Sequence, residues 1–468
     1  MKKIYIIIAL VLLGNFAMAQ TSVWHGGREL WTRGEGTKES PYLIENADQL
    51  AMLSYVVNKG YPMLGMHFKL TTDIDLNGSE DQPWTPIGSR KYVEDGCERS
   101  VEYVHEIVFK GNFDGDGHAI SNIYVDIQDP AGLFGCVGLT ADTTFIQNIR
   151  IVSGYINGDV SGGIVGRILG SYGRAIVSDC YNAAEIHGQG AGGITGQLGW
   201  IERCYNTGKV YATTGWAGGI TASSSGWVRQ CYNTGEVYSE GPTAGGIAGG
   251  NSTSSKFTVE NCYNTGSVST LSAESSNDMV GCGGIVGFVI PTKITLHNCY
   301  NVGSVNGASD HTGGVVGYEI EPDSVKNCYY LNTCGAQGLG VAMDEDAMRL
   351  PGFVATLNDN TDVWNMDEDN HNFGFPILVG LDMAVGEVHG SSLAVYPNPT
   401  QGTLRIEGGQ IEEVEVFNML GAKVMQCSLH CFDGTATLDV GTLTDGLYLL
   451  RVIDAQKAYR TCSFVVRH

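Results

Sequence analysis

Basic residues are scarce in this sequence, where 27 Lys and Arg stand against 50 Asp and Glu for a net charge of −23. Nucleic-acid binding needs a basic face that neutralises phosphates, so this balance argues against a nucleic-acid partner. Adsorption to an anionic membrane surface is disfavoured for the same reason. Beyond residue 20, no stretch approaches 18 consecutive apolar residues. We therefore expect no transmembrane segment once the N-terminal signal described below is removed.

The motifs of common catalytic and metal sites are also missing. His105-Glu106 begins like the helix of a zinc peptidase, but Phe109 stands where the second His is required. Asp73 to Gly78 fits the first half of a calcium loop, yet Trp84 occupies the position of the bidentate Glu. Neither a GxSxG nucleophile elbow nor a P-loop occurs. We predict no catalytic residue, no metal site and no cofactor.

The best polar cluster that remains is Asp114-Gly115-Asp116-Gly117-His118. Two acids at positions i and i+2 lie on one face of a strand, where they could bind a cation or share acid–base work. Turn chemistry favours a simpler interpretation, a glycine-rich hairpin that carries polar side chains.

The N-terminus has the pattern of an export signal. Lys2-Lys3 is basic, Ile6 to Leu13 is apolar, and Ala17-Met18-Ala19 supplies the small residues that a signal peptidase needs. We predict a signal peptide over residues 1–19 with cleavage after Ala19, and export through the inner membrane.

Two short phrases return along the middle of the chain every 24 to 38 residues. The first is a glycine-rich phrase, at 131–135, 162–166, 192–196, 218–220, 245–249, 283–287 and 313–317. The second is Cys-Tyr-Asn, at 180–182, 204–206, 231–233, 262–264 and 299–301, with Cys-Tyr-Tyr at 328–330. Such a period is typical of stacked supersecondary units. We predict an all-β fold, a right-handed parallel β-helix of about seven rungs with three short strands in each.

Equivalent positions of the repeat, which we call slots, predict which side chains point inward. The position of Ile164 is uniformly Ile or Val, whereas the next position varies, and alternation along a strand places the uniform slot inside. The cysteine slot also points inward, as an unbonded column of small apolar residues. Alternation must break once before each cysteine, which predicts corners near Asp179, Arg203, Gln230, Asn261, Asn298 and Asn327. The asparagines are expected to bond from rung to rung.

Disulfides are not required by this arrangement, but two pairings are open. They are Cys328 with Cys334, and Cys427 or Cys431 with Cys462.

Composition divides the chain into segments. We predict an N-terminal cap over residues 20–130 with one helix that begins after Asn46 and ends near Lys59-Gly60. The repeats span 131–334, and residues 335–380 cover the open end of the coil. Residues 381–391 form a linker, and 392–468 form a small β-sandwich domain with turns at Gly and Asn-Pro positions.

Three tryptophans are the candidate ligand-binding residues. Trp200, Trp216 and Trp227 each lie near a corner in adjacent rungs, so they are expected to form an aromatic strip on the surface. Sugars stack on such strips, although exposed corners also pack aromatic residues for structural reasons alone.

The repeats resemble the GLUG motif, which occurs in bacterial surface and secreted proteins, including adhesin-like proteins and some IgA1-specific peptidases. The flanking phrases at 70–78, 84–88, 111–120 and 372–378 extend this resemblance to about residues 40–380. The peptidase chemistry is not expected here, because the zinc motif is incomplete.

The C-terminal domain resembles the sorting domain of type IX secretion substrates. Its first motif is Tyr396-Pro397-Asn398-Pro399, its second ends at Gly421, and its third runs from Gly446 through Tyr448 to Val452. The resemblance implies that residues 392–468 engage the type IX secretion machinery. The protein is then expected on the outer-membrane surface or in the extracellular medium.

Two hypotheses for function follow. The first is a non-enzymatic β-helix that binds a host, matrix or glycan ligand, or that serves as a spacer. The alternative is a carbohydrate-active enzyme, a lyase or hydrolase, which needs carboxylates, often with Arg or Lys, in one groove. Residues 150–330 carry few charges, so this hypothesis ranks second. Three or more such residues in one cleft would reverse that order.

Overall fold

Parallel strands stacked rung upon rung make up most of the chain, as the repeats predict. The computed structural model describes residues 21–89, 107–138, 143–169, 175–251, 256–273, 279–290, 294–318, 320–359, 361–368, 370–381, 394–396, 400–407, 411–418, 423–431, 435–444, 446–453 and 459–467. The chain divides into two units between Leu381 and Asp382. The signal segment and most of the expected linker lie outside the described residues.

Two long parallel sheets run the length of the first unit. Sheet 1 has eleven strands, in the spatial order Ser22–Val23, Ile74–Asp75, Ala119–Ser121, Arg150–Ile151, Tyr181–Asn182, Tyr205–Asn206, Tyr232–Asn233, Tyr263–Asn264, Tyr300–Asn301, Tyr329–Leu331 and Val341–Met343. Sheet 2 has ten, in the order Tyr42–Ile44, His67–Leu70, Asn112–Asp114, Thr144–Gln147, Ala175–Ser178, Trp200–Glu202, Trp227–Arg229, Phe257–Glu260, Ile294–His297 and Val325–Lys326.

Two further parallel sheets close the coil. Sheet 3 contains Ile123–Asp126, Gly154–Gly162 and Glu185–Gly192, and then splits into two rows. One row is Val210–Ala212, Val237–Ser239, Val268–Thr270 and Val305–Asn306, and the other is Trp216–Gly218, Thr243–Gly245, Gly281–Gly283 and Thr312–Gly313. Sheet 4 contains Phe134–Gly138, Val165–Leu169, Thr195–Gln197, Thr221–Ser223, Ala248–Asn251 and Val286–Val289.

The coil is longer than the seven rungs that the repeats alone predict. Strands of the N-terminal region pair in register with one another and with the repeats, as Ser22 does with Ile74 and Tyr42 with Phe68. At the other end Tyr329 pairs with Val341. Residues on both sides of the repeats therefore contribute rungs of their own, although they lack the repeated phrases. The rungs of the repeats also have more than the three strands expected. Their corners divide each rung among four sheets, and sheet 3 splits further into two rows.

The interior follows the predicted slots. The Ile column at 164, 194, 220, 247 and 285 is fully buried, and the six cysteines of the repeat are at most 2% exposed. All six are free thiols. Burial raises the pKa of the Cys204, Cys262 and Cys328 thiols. Of the two pairings left open, Cys328 with Cys334 is not formed, because both are buried free thiols. The side chains of Cys431 and Cys462 lie outside the described residues.

The predicted corners are confirmed. Asp179, Arg203, Gln230, Asn261, Asn298 and Asn327 all adopt the left-handed conformation, with φ between 49° and 55°. The glycine pairs at the ends of strands of sheet 3 are needed for close packing between rungs and not for a left-handed backbone conformation. A Cβ on Gly219 would lie 2.1 Å from the carbonyl oxygen of Gly246 in the next rung. Only glycine permits the rungs to approach this closely.

The asparagines form the expected ladder inside the coil. The amide Nδ2 of Asn182, Asn206, Asn233 and Asn264 donates to Oδ1 of the next asparagine at 2.8–2.9 Å, which ends at Asn301. Each Nδ2 also donates to a carbonyl oxygen two residues ahead in its own rung, at 2.7–3.0 Å. The buried amides are therefore paired along the whole ladder.

Helix α1, Ala47–Asn58, packs on the N-terminal rungs with Leu50, Leu53 and Val57 buried. Its N-cap is Asn46, whose Oδ1 accepts from the backbone N–H of Gln49 at 2.9 Å, as the sequence predicts. Its C-terminus is followed by Gly60 at a φ of 92°.

Residues 344–378 cover a flank of the coil near its C-terminal end. They contain helix α2 (Glu345–Met348), helix α3 (Pro351–Asn358) and the antiparallel strands Trp364–Asn365 and Ile377–Leu378. The Phe353 ring packs edge-on against Tyr300 and Tyr329, and Trp364 Nε1 donates to Asn261 Oδ1 at 3.2 Å. The segment thus lies along three rungs of sheet 1 rather than only across the open end, because the stacked tyrosines offer it an apolar surface.

The second unit consists of two antiparallel sheets, which confirms the small β-sandwich. One contains Ala394–Tyr396, Thr403–Glu407 and Thr435–Asp439, and the other Lys423–Cys431, Ile411–Asn418, Gly446–Ile453 and Tyr459–Val466. Leu404 and Leu438 of the first and Val414, Leu450 and Phe464 of the second share one buried core.

Candidate functional site

The structure brings two of the three candidate tryptophans together. Trp200 and Trp227 lie on adjacent strands of sheet 2, half-buried, with ring centroids 5.2 Å apart and planes at 49°. Trp216 does not join them. It begins a strand of sheet 3, where its ring centroid lies 6.1 Å from that of Phe288. The expected strip of three is wrong because a corner separates the strand of Trp216 from that of Trp227.

Strand register extends the tryptophan pair towards the N-terminus. Ile176 pairs with both Trp200 and Phe145 in the sheet ladder. The inward neighbours of these residues are fully buried, so alternation places the four side chains on the outer face. We call Phe145, Ile176, Trp200 and Trp227 the aromatic column. Phe145 is its most open member, at 41% exposure.

Charged side chains run beside the aromatic column on the same face. We call residues 179, 203, 229 and 260 the charged column. Arg203 makes two hydrogen bonds to the Asp179 carboxylate, at 2.6 and 2.7 Å, which raise the pKa of its guanidinium. Arg229 pairs with Glu260 at 3.5 Å, and its guanidinium carbon lies 4.7 Å from the centre of the Trp227 ring. The two columns therefore touch at Trp227.

A groove of about 1000 Å³ lies at the N-terminal end of the aromatic column. The strands His67–Leu70, Asn112–Asp114 and Thr144–Gln147 form its floor. Its polar lining includes Lys38, Lys69, Lys110, His67, Asn112 and Asp114. Phe145 belongs to both the groove and the column, so the two features form one continuous surface.

His67 is held neutral in this groove. Asn112 Oδ1 accepts the backbone N–H of Phe145 at 2.9 Å, which orients Asn112 Nδ2 towards His67 Nε2 at 3.3 Å. Nε2 must therefore accept, and the proton sits on Nδ1. Burial lowers the pKa of His67, and the nearby charge of Lys38 lowers it further, while Glu39 acts in the opposite sense.

Among the described residues that line the groove, Asp114 is the one carboxylate. Its oxygens accept from Asn148 Nδ2 at 2.8 Å, Gln147 Nε2 at 3.2 Å and the backbone N–H of Asp116 at 2.9 Å. Asp116 pairs with Lys69 at 3.0 Å. The glycine-rich segment is a corner of the parallel coil and not a hairpin, and its two acids have separate partners.

Two other aromatic columns, which sequence reasoning missed, offer less to a ligand. Tyr124, Tyr155, His187, Tyr211 and Tyr238 stack on sheet 3 with planes within 39° of one another. Each inner ring covers the faces of its neighbours, so edges and polar atoms remain for solvent. The tyrosines of sheet 1 also stack, and residues 353 and 364 pack on them. Both columns could have been found from the sequence, because the repeats that form them have an aromatic residue at a fixed number of positions from an inward-pointing residue.

The sorting-motif residues are described in part. Tyr396 has Arg405 5.7 Å from its ring centre. Tyr448 donates its hydroxyl to the carbonyl of Thr444 at 2.9 Å, and Gly446 begins the same strand. Pro397, Asn398, Pro399 and Gly421 lie outside the described residues, as does Ala19 of the predicted cleavage site.

Among the described residues, no helix combines the length and apolar character needed to cross a bilayer.

Two protein-family models match segments of the chain. Residues 394–467 match the secretion system C-terminal sorting domain, and residues 241–269 match the GLUG motif. Both resemblances stated from the sequence are thereby confirmed.

Two curated relatives cover only part of the chain. A putative Gly-rich membrane protein of Evansella cellulosilytica is 31% identical over 155 residues, which are 32% of this chain and 15% of the relative. Halomucin of Haloquadratum walsbyi is 31% identical over 171 residues, 36% of this chain and 2% of the relative. The chain thus spans a small fraction of the length of either.

One solved structure shares the fold. It is a putative immunoglobulin A1 protease from Bacteroides ovatus, with a TM-score of 0.51 and 22% identity over 75% of this chain and 95% of that chain. At this identity the likeness concerns the fold alone.

Proposed function

We propose that this chain is a non-enzymatic binding protein that holds a glycan chain along the outer face of sheet 2. Its GLUG motif and its sorting domain indicate a surface or secreted protein. The observation that carries this proposal is the aromatic column, which leads without interruption out of a groove of about 1000 Å³.

The dimensions of this surface suit an extended ligand. From His67 through Asn112 to Trp227 the side chains occupy successive rungs, and five rung spacings give a length of about 24 Å. Apolar rings along the centre and charged groups along one side match a sugar chain, which has apolar ring faces and polar edges. Exposed apolar surface of this kind often marks an interaction site on a secreted protein.

The test is a glycan array with the full processed chain, followed by calorimetry on the sugars that bind. We expect the double variant W200A/W227A to weaken binding at least tenfold. W216A is the matched control, because it removes the same side chain from sheet 3. Thermal melts of both variants check that the coil is intact. Equal affinities of W200A/W227A and the wild-type protein, or no bound glycan at all, would contradict the proposal and leave a spacer role.

A second candidate function is enzymatic cleavage of the bound glycan. The groove gathers Asp114, three lysines and the neutral His67, so it contains more than the three charged groups set above as the criterion for an enzyme. Three of those groups are ammonium ions, however, whereas glycoside hydrolysis uses a pair of carboxylates across the scissile bond. The part of the lining that the structure describes supplies only one, Asp114. Binding without cleavage therefore remains the first proposal.

Cleavage has its own measurement. Release of new reducing ends from the glycans that bind, abolished in H67A and D114N, would favour the enzyme. No release over long incubation with a bound glycan would favour the binding protein.

A further inference from the structure

We infer that the groove selects acidic saccharides, with carboxylate or sulfate groups of the ligand bound by Lys38, Lys69 and Lys110. This inference rests on the proposed function and adds to it the chemical class of the ligand. The acidic units would occupy the groove, and the rest of the chain would extend over the aromatic column.

The distribution of charge is the first argument. The protein has a net charge of −23 and only 27 basic residues. Three lysines nevertheless line one groove, against Asp114 in its described lining and Asp116, which pairs with Lys69. An acidic polysaccharide is repelled by most of this protein. A concave region of opposite sign focuses the field and draws an anionic ligand to itself.

The partners of the charged groups are the second argument. Asp114 is already hydrogen-bonded to the neutral amides of Asn148 and Gln147, so its oxygens are occupied while its negative charge remains. Within the described part of the chain, Lys69 pairs with Asp116, while no ion pair is found for Lys38 or Lys110. Two ammonium groups are thus available for the ligand, and Lys69 can rotate between Asp116 and an anion because both side chains are partly exposed.

The neutral imidazole of His67 completes the groove. Since Nε2 accepts from Asn112, its Nδ1 presents a proton beside the lysines without adding a positive charge that they would repel. An oxygen-rich anion needs several donors of this kind to replace its water. Phe145, on the wall nearest Trp200, supplies the apolar contact for the sugar ring.

The test compares three oligosaccharides of equal length, one neutral, one with uronic acids and one sulfated, by calorimetry at low and high salt. At low salt we expect at least one acidic oligosaccharide to bind tenfold or more tightly than the neutral one, with the difference shrinking at high salt. The group that gives the tighter binding identifies carboxylate or sulfate as the preferred anion.

Lysine variants assign the effect to the groove. K69Q/K110Q should lose the preference for the acidic ligand. K209Q/K326Q, with the same change in net charge outside the groove, should leave both affinities unchanged. Equal affinity for neutral and acidic oligosaccharides in the wild-type protein, or a preference that survives K69Q/K110Q, would overturn the inference. If the neutral glycan still binds through Trp200 and Trp227, the proposed function stands even where the acidic preference fails.

Discussion

The asparagine ladder allows the sharpest test of how the coil is stabilised. We expect Asn233→Ala to lower the free energy of unfolding of the coil by about 3–5 kcal/mol, since three buried groups each lose a hydrogen bond. These are Asn206 Nδ2, Asn264 Oδ1 and the carbonyl oxygen of Gly235, at 2.8, 2.9 and 2.8 Å from the amide that is removed. The cost lies in the lower part of the range of about 1–3 kcal/mol for each group, because Asn206 Nδ2 keeps its bond to the Gly208 carbonyl.

The cost is large because no water reaches the ladder. Asn206, Asn233 and Asn264 are fully buried, so the groups that lose a bond cannot exchange a protein partner for solvent. A loss of this size is a large share of the stability of a typical domain, about 5–15 kcal/mol in total. The substitution also leaves space beside Gly219, whose missing Cβ would lie 2.4 Å from Asn233 Cγ.

Chemical denaturation of the full chain, followed by tryptophan fluorescence, measures the effect as a change in the midpoint of the coil transition. Asn301→Ala is a graded control, because Asn301 ends the ladder and its side chain bonds Asn264 and the carbonyl of Gly303 among the described residues. Its cost should be smaller. Thr234→Ala, on the neighbouring half-buried residue, should change stability by less than about 0.5 kcal/mol. If Asn233→Ala cost no more than Thr234→Ala, the ladder would not contribute as argued.

Four further outcomes are expected. Gly219→Ala should prevent folding or lower the midpoint sharply through a clash with the next rung, whereas Gly352→Ala, with nothing within 4 Å of its added Cβ, should be neutral or stabilising. Peptide mass spectrometry should find the six column thiols unlabelled by maleimide in the native protein and labelled after unfolding. In an NMR titration, His67 should show a pKa below 6.5, and Lys38→Gln should raise it, because a nearby positive charge is removed. Deletion of residues 392–468 should keep the remainder of the chain inside the outer membrane, and its appearance on the surface would contradict the sorting role.

The sequence predicts well those features that neighbouring residues within each repeat determine. The inward Ile and Cys positions, the corners such as Asp179 and the ladder that contains Asn233 recur in most copies, so one physical interpretation is tested many times over. Helix α1 was predictable for a similar reason, since its N-cap and first turn are encoded by neighbouring residues.

The remaining features depend on which strands become neighbours. Strands such as Ser22–Val23 lack the repeated phrases, and only their pairing with Ile74–Asp75 shows that they extend the coil. The groove combines Lys38, Lys69 and Lys110 from segments far apart in sequence, and no local pattern brings them together. Trp216 was misplaced because a position near a corner does not reveal on which side of that corner the strand lies.

The division between inward and outward slots also explains why the candidate site escaped the repeat pattern. Inward slots are the same in every rung because each must stack on its like, whereas outward slots face solvent and carry no such constraint. On sheet 2 the outward position is Phe145, Ile176, Trp200 and Trp227 in four successive rungs, and then Thr258 pairs with Trp227. The apolar surface therefore ends at Trp227, and a ligand longer than the groove and these four rungs would gain no further apolar contact. Trp227→Ala should accordingly weaken only ligands long enough to reach from the groove to its rung.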